Sequence, residues 1–203
     1  MKLVGPWLSG FTRRAGITMK LLDIPFEHLN LNAYTDKVEV RRYSPIGKVP
    51  ALVLDNGEVL IDSSGIIDVL HEMVGPTRAL IPSSGPVRLK ALQLIGIGLA
   101  IYPKLSSIYD EILRPKSHQL QSVIEGLAEQ AITGLKMLEE QAGAGWLVED
   151  TLSQADIMAV VCYHGASLLV LRDVVTPRNF PRLSGLAERA MRIDAFRSTV
   201  PHL

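Results

Sequence analysis

The chain of 203 residues contains a single cysteine, Cys162. One cysteine excludes a disulfide within the chain, a Cys-x-x-Cys redox site and a thiolate zinc site, and it is typical of a reducing compartment. No grouping of His, Asp and Glu has the spacing of metal ligands, so we expect no metal. Gly96 and Gly98 lie inside a helical pattern without the flanking residues of a phosphate loop, which argues against a nucleotide site.

An excess of charge of one sign is also lacking, because 21 basic residues balance 21 acidic ones. A broad nucleic-acid surface needs a basic excess, so no nucleic-acid partner is expected. The longest apolar runs, Leu92–Tyr102 and Ile157–Leu171, are shorter than the roughly 20 residues that span a bilayer. The apolar start is broken by Gly5 and Pro6 and makes a poor secretory signal. We therefore predict a cytoplasmic protein without a membrane partner.

The first third of the chain alternates between strand and helix patterns. Asn56-Gly57 stands between two short apolar runs, and this dipeptide is the strongest local signal for a β-hairpin. A helix ends before Pro25, because the residue before a proline avoids the helical conformation. The predicted elements are a strand at Lys2–Val4, a helix at Phe11–Leu22, strands at Phe26–Leu31, Ala51–Leu54 and Glu58–Ile61, and a helix from Ser63 to about Met73. They describe a small mixed α/β domain at residues 1–76.

Helical patterns continue almost without interruption after Pro86. Gly, Pro and Ser residues between the two parts have the composition of a linker. The predicted helices are Val87–Tyr102, Lys104–Leu113, His118–Ala142, Ser153–Leu171 and Leu183–Phe196. An all-α second domain at residues 86–203 follows from them.

Ser153 and Asp156 form the sharpest helix signal in the second half. A Ser hydroxyl accepts from a backbone N–H of the first turn, while the acidic side chain three residues later accepts from the Ser amide. The helix that follows is mostly apolar, so it is predicted to be the core of the second domain. Cys162 and His164 lie in this helix and are predicted to be packed rather than functional.

Two short segments of the first domain have the character of a ligand site. Ser44–Pro50 is a turn that ends in Val49-Pro50 at the start of a strand, where a proline costs no important ladder bond. Asp62-Ser63 stands where a strand meets a helix. The N–H and hydroxyl of Ser63 suit a carboxylate at the positive helix terminus, and Asp62 suits an ammonium group. From these residues alone, a plain helix cap is the more common interpretation.

The same segments resemble the glutathione-site signature of glutathione transferases. The matching stretches are Ser-Pro-Ile-Gly-Lys-Val-Pro-Ala-Leu and Asn-Gly-Glu-Val-Leu-Ile-Asp-Ser-Ser. The first residues and the ending Phe-Arg-Ser-Thr-Val-Pro resemble bacterial members, and the Ser153–Asp156 box resembles the folding motif of that family. The resemblance covers nearly the whole chain. It implies a thioredoxin-like N-terminal domain, an all-helical C-terminal domain, a homodimer, and glutathione as the co-substrate.

The resemblance also implies roles for individual residues. Pro50 is expected to follow a cis peptide bond, and the backbone of Val49 is expected to pair with the cysteinyl part of glutathione. Asp62 and Ser63 are expected to hold the γ-glutamyl end. Lys48 is placed to approach the glycyl carboxylate.

The catalytic position implied by the resemblance is Ser9. Its hydroxyl, at the start of the first helix, would donate to the glutathione sulfur and favour the thiolate, with help from the helix terminus. Matching bacterial members have Pro at the position where this chain has Gly10. The glycine makes the loop of this chain less rigid. Thr12 is the substitute candidate, and a purely capping role for Ser9 is the alternative.

Further residues are weaker candidates. Trp7 either narrows the site or simply packs. Arg13 and Arg14 would add positive potential near the thiolate, although we favour a pair that is half solvated surface and half salt bridge.

Family members place the electrophile pocket on the first long helices of the second domain. Tyr102, Tyr109 and Arg114 lie there and are candidate pocket residues beside Trp7, while single aromatic residues on helices more often belong to the core.

The predicted function is conjugation of the glutathione thiolate to small apolar electrophiles, or related thiol or peroxide chemistry. The alternative is a non-catalytic glutathione-binding or protein-interaction module with the same fold. Disulfide exchange through the protein is disfavoured, because no cysteine lies near Ser9 in the sequence.

Overall fold

The computed structural model describes residues 1–201. The chain divides into two compact units: Met1–Ser83 together with the segment that begins at Arg192, and Ser84–Met191. The prediction of one helical domain at 86–203 differs from this division at its end, where the terminal segment belongs to the first unit.

The first unit combines a four-stranded sheet with helices. In chain order its elements are β1 (Lys2–Val4), α1 (Gly10–Leu21), β2 (Glu27–Leu29), α2 (Lys37–Tyr43), β3 (Ala51–Val53), β4 (Val59–Ile61) and α3 (Ser63–Val74). The strand order is β2-β1-β3-β4. β1 is parallel to β2 and antiparallel to β3, and β4 is antiparallel to β3.

One apolar cluster joins the sheet to α1 and α3. Leu3 of β1 pairs in register with Leu52 of β3. Both side chains are fully buried and belong to a cluster with Met19 of α1 and Ile66 of α3. This packing fixes the ends of α1 and α3 relative to the sheet, and those ends carry the candidate site residues.

α2 is a helix that no sequence pattern predicts. Its seven residues are Lys-Val-Glu-Val-Arg-Arg-Tyr, and only Val40 among them is buried. A helix with one buried side chain shows no apolar periodicity, so there was no pattern to detect.

The second unit is helical. Its elements are α4 (Gly85–Ile112), a 3₁₀ turn (Lys116–His118), α5 (Gln121–Gln141), α6 (Gln154–His164), a π-helical segment (Gly165–Val170) and α7 (Pro181–Ala190). A last helix, α8 (Asp194–Arg197), belongs to the terminal segment of the first unit.

α4 is continuous where two helices were predicted. Pro103 was expected to separate Val87–Tyr102 from Lys104–Leu113, but it lies inside the helix. An interior proline costs a helix about 3 kcal/mol. Ile101 and Leu105 on either side of it are almost fully buried, and burying such side chains recovers roughly 1.5–3 kcal/mol each. Tertiary packing therefore outweighs the local penalty.

α4 is longer than the apolar runs Leu92–Tyr102 and Ile157–Leu171 that the sequence shows. The helix has 28 residues and contains an 18-residue window of mean hydropathy 1.3, so by length and composition it is sufficient to cross a membrane. Of that window, 44% is buried inside the protein. We interpret α4 as the core helix of the second unit, packed against α5 and α6.

Two other helical predictions are divided in the structure. The predicted helix Ser153–Leu171 changes from α6 to the π-helical segment at Gly165, where a Cβ would lie 2.9 Å from the ring of Tyr102. The predicted helix Leu183–Phe196 is separate helices α7 and α8, because the chain passes from the second unit to the first between them.

The predicted capping box at the start of α6 is confirmed. Asp156 accepts from the Ser153 amide at 2.9 Å, and the Ser153 hydroxyl accepts from the Ala155 amide at 3.2 Å. Cys162 and His164 are buried in this helix, as predicted.

Candidate functional site

The turn before β3 has the cis proline that the family resemblance implies. The Val49–Pro50 bond is cis, which confirms that prediction. The buried Ser44 closes the turn: its carbonyl accepts from the Gly47 amide at 2.7 Å and its hydroxyl from the Lys48 amide at 3.2 Å. Gly47 has φ 72°, a conformation that favours glycine. The turn is therefore held by its own backbone and by the Ser44 hydroxyl, and Lys48 is exposed.

α3 begins at Ser63, directly after Asp62, as predicted. Asp62 is the N-cap residue, with φ 81°, and its carboxylate accepts from the Ser64 amide at 2.7 Å. Its side chain stays exposed, whereas Ser63 is 1% exposed. The helix terminus thus presents a solvent-facing carboxylate beside a buried hydroxyl.

A buried cation lies directly behind this helix terminus. The Arg14 guanidinium donates from Nη1 to the hydroxyls of Ser63 and Ser64, each at 3.4 Å. Arg14 is only 3% exposed, so the expectation of a partly solvated surface arginine is wrong. Its charge acts through a poorly screened interior, which favours an anion at the start of α3.

Arg13 is also buried, but its contacts differ from those of Arg14. It donates from Nη2 to the Phe196 carbonyl and from Nε to the Thr199 hydroxyl, each at 3.4 Å. These contacts tie α1 to the terminal segment and explain why that segment belongs to the first unit. The two neighbouring arginines therefore differ: Arg14 adjoins the start of α3, and Arg13 holds the chain end.

Ser9 caps α1 and stays partly accessible. Its hydroxyl oxygen accepts from the Thr12 amide at 3.4 Å, and its own amide donates to the Pro6 carbonyl at 3.0 Å. A hydroxyl that accepts one hydrogen bond still has its hydrogen to donate. Capping and donation to a ligand are compatible for this residue.

Thr12 joins the first loop to the cis-proline turn. A Cβ placed on Gly5 would lie 2.3 Å from Thr12 Oγ1 and 2.9 Å from Val49 Cβ, so the two side chains meet over this glycine. Thr12 is fully buried, and its hydroxyl has no hydrogen-bond partner within residues 1–201. The N-terminus of α1 and the cis bond are thereby adjacent.

Trp7 packs inside the first unit. Its ring stacks on His28 with centroids 3.8 Å apart and an interplanar angle of 16°. The edge of its six-membered ring covers Gly16, where a Cβ would lie 2.4 Å from the ring. No sequence pattern indicates that Trp7 stacks on His28, because Trp7 lies in a loop and His28 in the separate strand β2.

The remaining pocket candidates lie in the second unit. Tyr102 is almost fully buried, with its ring against Gly165. Tyr109 is half-buried, and Arg114 pairs its Nε with Glu111 at 2.9 Å. Within residues 1–201 no group of three or more His, Cys, Asp or Glu side chains is arranged to hold a metal ion.

Comparison with known proteins assigns the family. Residues 3–78 match the N-terminal domain of glutathione S-transferases. Over 209 aligned residues the chain is 30% identical to the maleylacetoacetate isomerase of Pseudomonas aeruginosa, covering 99% of this chain and 96% of that protein. The chain belongs to the glutathione S-transferase family. It is an enzyme of the glutathione transferase type.

Solved structures share the fold over the whole length. A glutathione S-transferase of Methylobacterium radiotolerans, in complex with glutathione sulfonate, has a TM-score of 0.92 at 21% identity and covers 100% of this chain and 95% of that one. A bacterial maleyl pyruvate isomerase of the zeta class has a TM-score of 0.81 at 27% identity, with coverages of 99% and 97%. The predicted fold class, a thioredoxin-like domain followed by a helical one, is confirmed.

Proposed function

We propose that this transferase binds glutathione on its first unit, ionises the thiol, and adds the thiolate to a small apolar electrophile. The observation that carries the proposal is the meeting of Thr12 and Val49 over Gly5. It places the start of α1, with its positive terminus and Ser9 hydroxyl, beside the cis Val49–Pro50 bond. A peptide paired with the Val49 backbone would therefore carry its sulfur toward Ser9.

The γ-glutamyl end of glutathione would lie at the start of α3. Its carboxylate would accept from the Ser63 amide and hydroxyl, with the Arg14 guanidinium behind that hydroxyl. Its ammonium would pair with the exposed Asp62 carboxylate. Lys48, exposed at the turn, would approach the glycyl carboxylate at the other end of the tripeptide.

Ser9 would activate the thiol. Its hydroxyl is partly accessible and at the N-terminus of α1, where hydrogen bonding and the helix dipole both stabilise a thiolate. Thr12 is the substitute, but its full burial favours a place beneath the ligand rather than against the sulfur. The enzyme would then contribute thiol activation and proximity. We propose Tyr102, Tyr109 and Arg114 of the second unit as electrophile contacts, and Trp7, which stacks on His28, as a packing residue.

A second candidate function is glutathione-dependent isomerisation of a maleyl compound. Two of the similar proteins are named as isomerases of maleyl substrates. Thiolate addition to the cis double bond gives a carbon–carbon single bond that rotates, and elimination then restores the trans double bond and the thiolate. Conjugation and isomerisation thus share the addition of the thiolate. Conjugation releases the adduct, whereas isomerisation eliminates the thiolate from it.

We also propose a homodimer in the cytoplasm. Leu89 and Leu92 are one helical turn apart on α4 and are 60% and 44% exposed, so they offer an apolar contact for a second copy. Light scattering of wild type and of Leu89→Glu/Leu92→Glu tests this: the wild type should have twice the mass of the variant. Equal masses would contradict the dimer contact.

Three measurements test the function. Calorimetry should detect glutathione binding to the wild type, and its absence at millimolar ligand would contradict the proposal. Conjugation to 1-chloro-2,4-dinitrobenzene should fall about 100-fold in Ser9→Ala, the cost of one donor to a developing anion, and change little in Thr12→Val. Maleylacetoacetate with a trace of glutathione distinguishes isomerisation, since conjugation stops once the trace is consumed. Binding without either turnover would favour the non-catalytic module.

A further inference from the structure

A cleft in the first unit lies apart from the proposed glutathione contacts. It has a volume of about 450 Å³, within the range of small-molecule sites. Its lining residues are Trp7, Lys20, Ile24, Pro25, Phe26, His28 and Ser198. None of the proposed glutathione contacts, Lys48, Val49, Asp62 and Ser63, is among them.

The cleft extends away from Ser9 along α1. Lys20, in the last turn of the helix, follows Ser9 by eleven positions, which is about 16 Å at a rise of 1.5 Å per residue. A ligand that contacts Lys20 therefore lies well beyond the reach of a thiolate at Ser9.

Aromatic side chains form the walls of this cleft. Trp7 and Phe26 each pack against the apolar core of the first unit while remaining partly exposed. Trp7 is held in place by its stack on His28, whose Nε2 donates to the Gly5 carbonyl at 2.8 Å. A wall that is fixed before binding suits a flat aromatic ring, because little side-chain freedom is lost on contact.

The charge of the cleft is set by Lys20. Asp23 and Glu27 lie on the same stretch of chain, but their carboxylates pair with Arg78 at 3.7 Å and Lys2 at 3.2 Å. Among residues 1–201 no carboxylate pairs with Lys20. One cation with no acidic partner, next to fixed aromatic surface, favours an anion that carries a ring.

We propose that this cleft is a second ligand site, for a planar aromatic carboxylate whose ring packs against Trp7 and Phe26 and whose carboxylate pairs with Lys20. The site is independent of glutathione, so a chain that binds no glutathione would still take this ligand.

2-Naphthoate is the probe for the test. The sequence contains two tryptophans, Trp7 and Trp146, so in a Trp146→Phe background the indole N–H resonance reports on Trp7. We expect 2-naphthoate to shift this resonance at submillimolar concentration. The uncharged naphthalene-2-carboxamide should bind about fivefold more weakly, since one exposed ion pair contributes about 1 kcal/mol.

Variants assign the charge contact. Lys20→Gln should weaken the binding of 2-naphthoate about fivefold and leave that of the carboxamide unchanged. Lys37→Gln, at an exposed lysine of α2, should change neither. Saturating glutathione should alter the affinity for 2-naphthoate by less than twofold.

Three results would overturn the proposal: no shift at millimolar 2-naphthoate, equal binding to the wild type and Lys20→Gln, or displacement by glutathione. The last would make the cleft part of the thiol site, and it would leave the proposed transferase function standing.

Discussion

Arg14 offers the sharpest test of how the first unit would hold glutathione. Its guanidinium is buried 3.4 Å from the Ser63 hydroxyl, and a carboxylate accepting from that hydroxyl would lie about 2.7 Å further on. The charges would then be roughly 6 Å apart. At an effective dielectric constant of about 20 this separation gives about 3 kcal/mol.

Water near the exposed Asp62 screens part of that attraction, so we expect about half of it in the measured affinity. About 1.5 kcal/mol corresponds to a tenfold change in dissociation constant. Arg14→Met keeps an unbranched apolar side chain in place of the aliphatic part of arginine and removes the charge. It should therefore raise the Kd for glutathione about tenfold, with a smaller effect on kcat.

A ligand without the γ-glutamyl carboxylate isolates this contribution. N-acetyl-cysteinylglycine has no such carboxylate, so Arg14→Met should change its affinity by less than twofold. The matched control is Arg13→Met, which removes an equally buried guanidinium whose contacts are with Phe196 and Thr199. That variant should lower the free energy of unfolding and change the affinities for both ligands equally.

Titration calorimetry on the three proteins with the two ligands gives the needed differences. An equal penalty for both ligands in Arg14→Met would refute the reasoning, because the arginine would then act through the fold alone. A circular dichroism melt of each variant shows that the comparison is made on folded protein.

Other positions give further predictions. Gly5→Ala places a Cβ 2.3 Å from Thr12 Oγ1 at a φ of 133°, so we expect a loss of about 1–3 kcal/mol in urea unfolding, partly restored by adding Thr12→Ala; no restoration would contradict the contact. Burial raises the pKa of Asp156, although hydrogen bonds from Leu147 and Ser153 oppose the shift. Its contribution to stability should be complete below about pH 4, the ordinary Asp value, and should decline as pH rises through the higher folded-state pKa. Asp156→Asn should remove that decline and cost about 1–3 kcal/mol, because its amide faces donors; an unchanged pH profile of unfolding would contradict the assignment.

Local signatures in the sequence were sufficient for much of the candidate site. The start of α3 at Ser63 and the capping box at Ser153 each depend on a few neighbouring residues, so capping chemistry predicts them. The cis bond before Pro50 is different, because only the family resemblance implied it.

Contacts between distant residues were beyond sequence reasoning. Two adjacent arginines are normally solvated, but Arg13 and Arg14 are buried by partners far along the chain, in the terminal segment and at the start of α3. The continuity of α4 through Pro103 likewise depends on packing against α5 and α6. In each case tertiary contacts outweigh the local preference, and no local sequence pattern indicates such contacts.

The titration of enzyme-bound glutathione tests the central claim most directly. The ultraviolet absorbance of the thiolate, followed against pH, gives the pKa of the bound thiol in the wild type and in Ser9→Ala. We predict a value below the ordinary thiol pKa of about 8.5 in the wild type, and a return toward it in Ser9→Ala. A bound thiol that titrates as it does in free glutathione, or a lowered value that Ser9→Ala leaves in place, would contradict activation by Ser9.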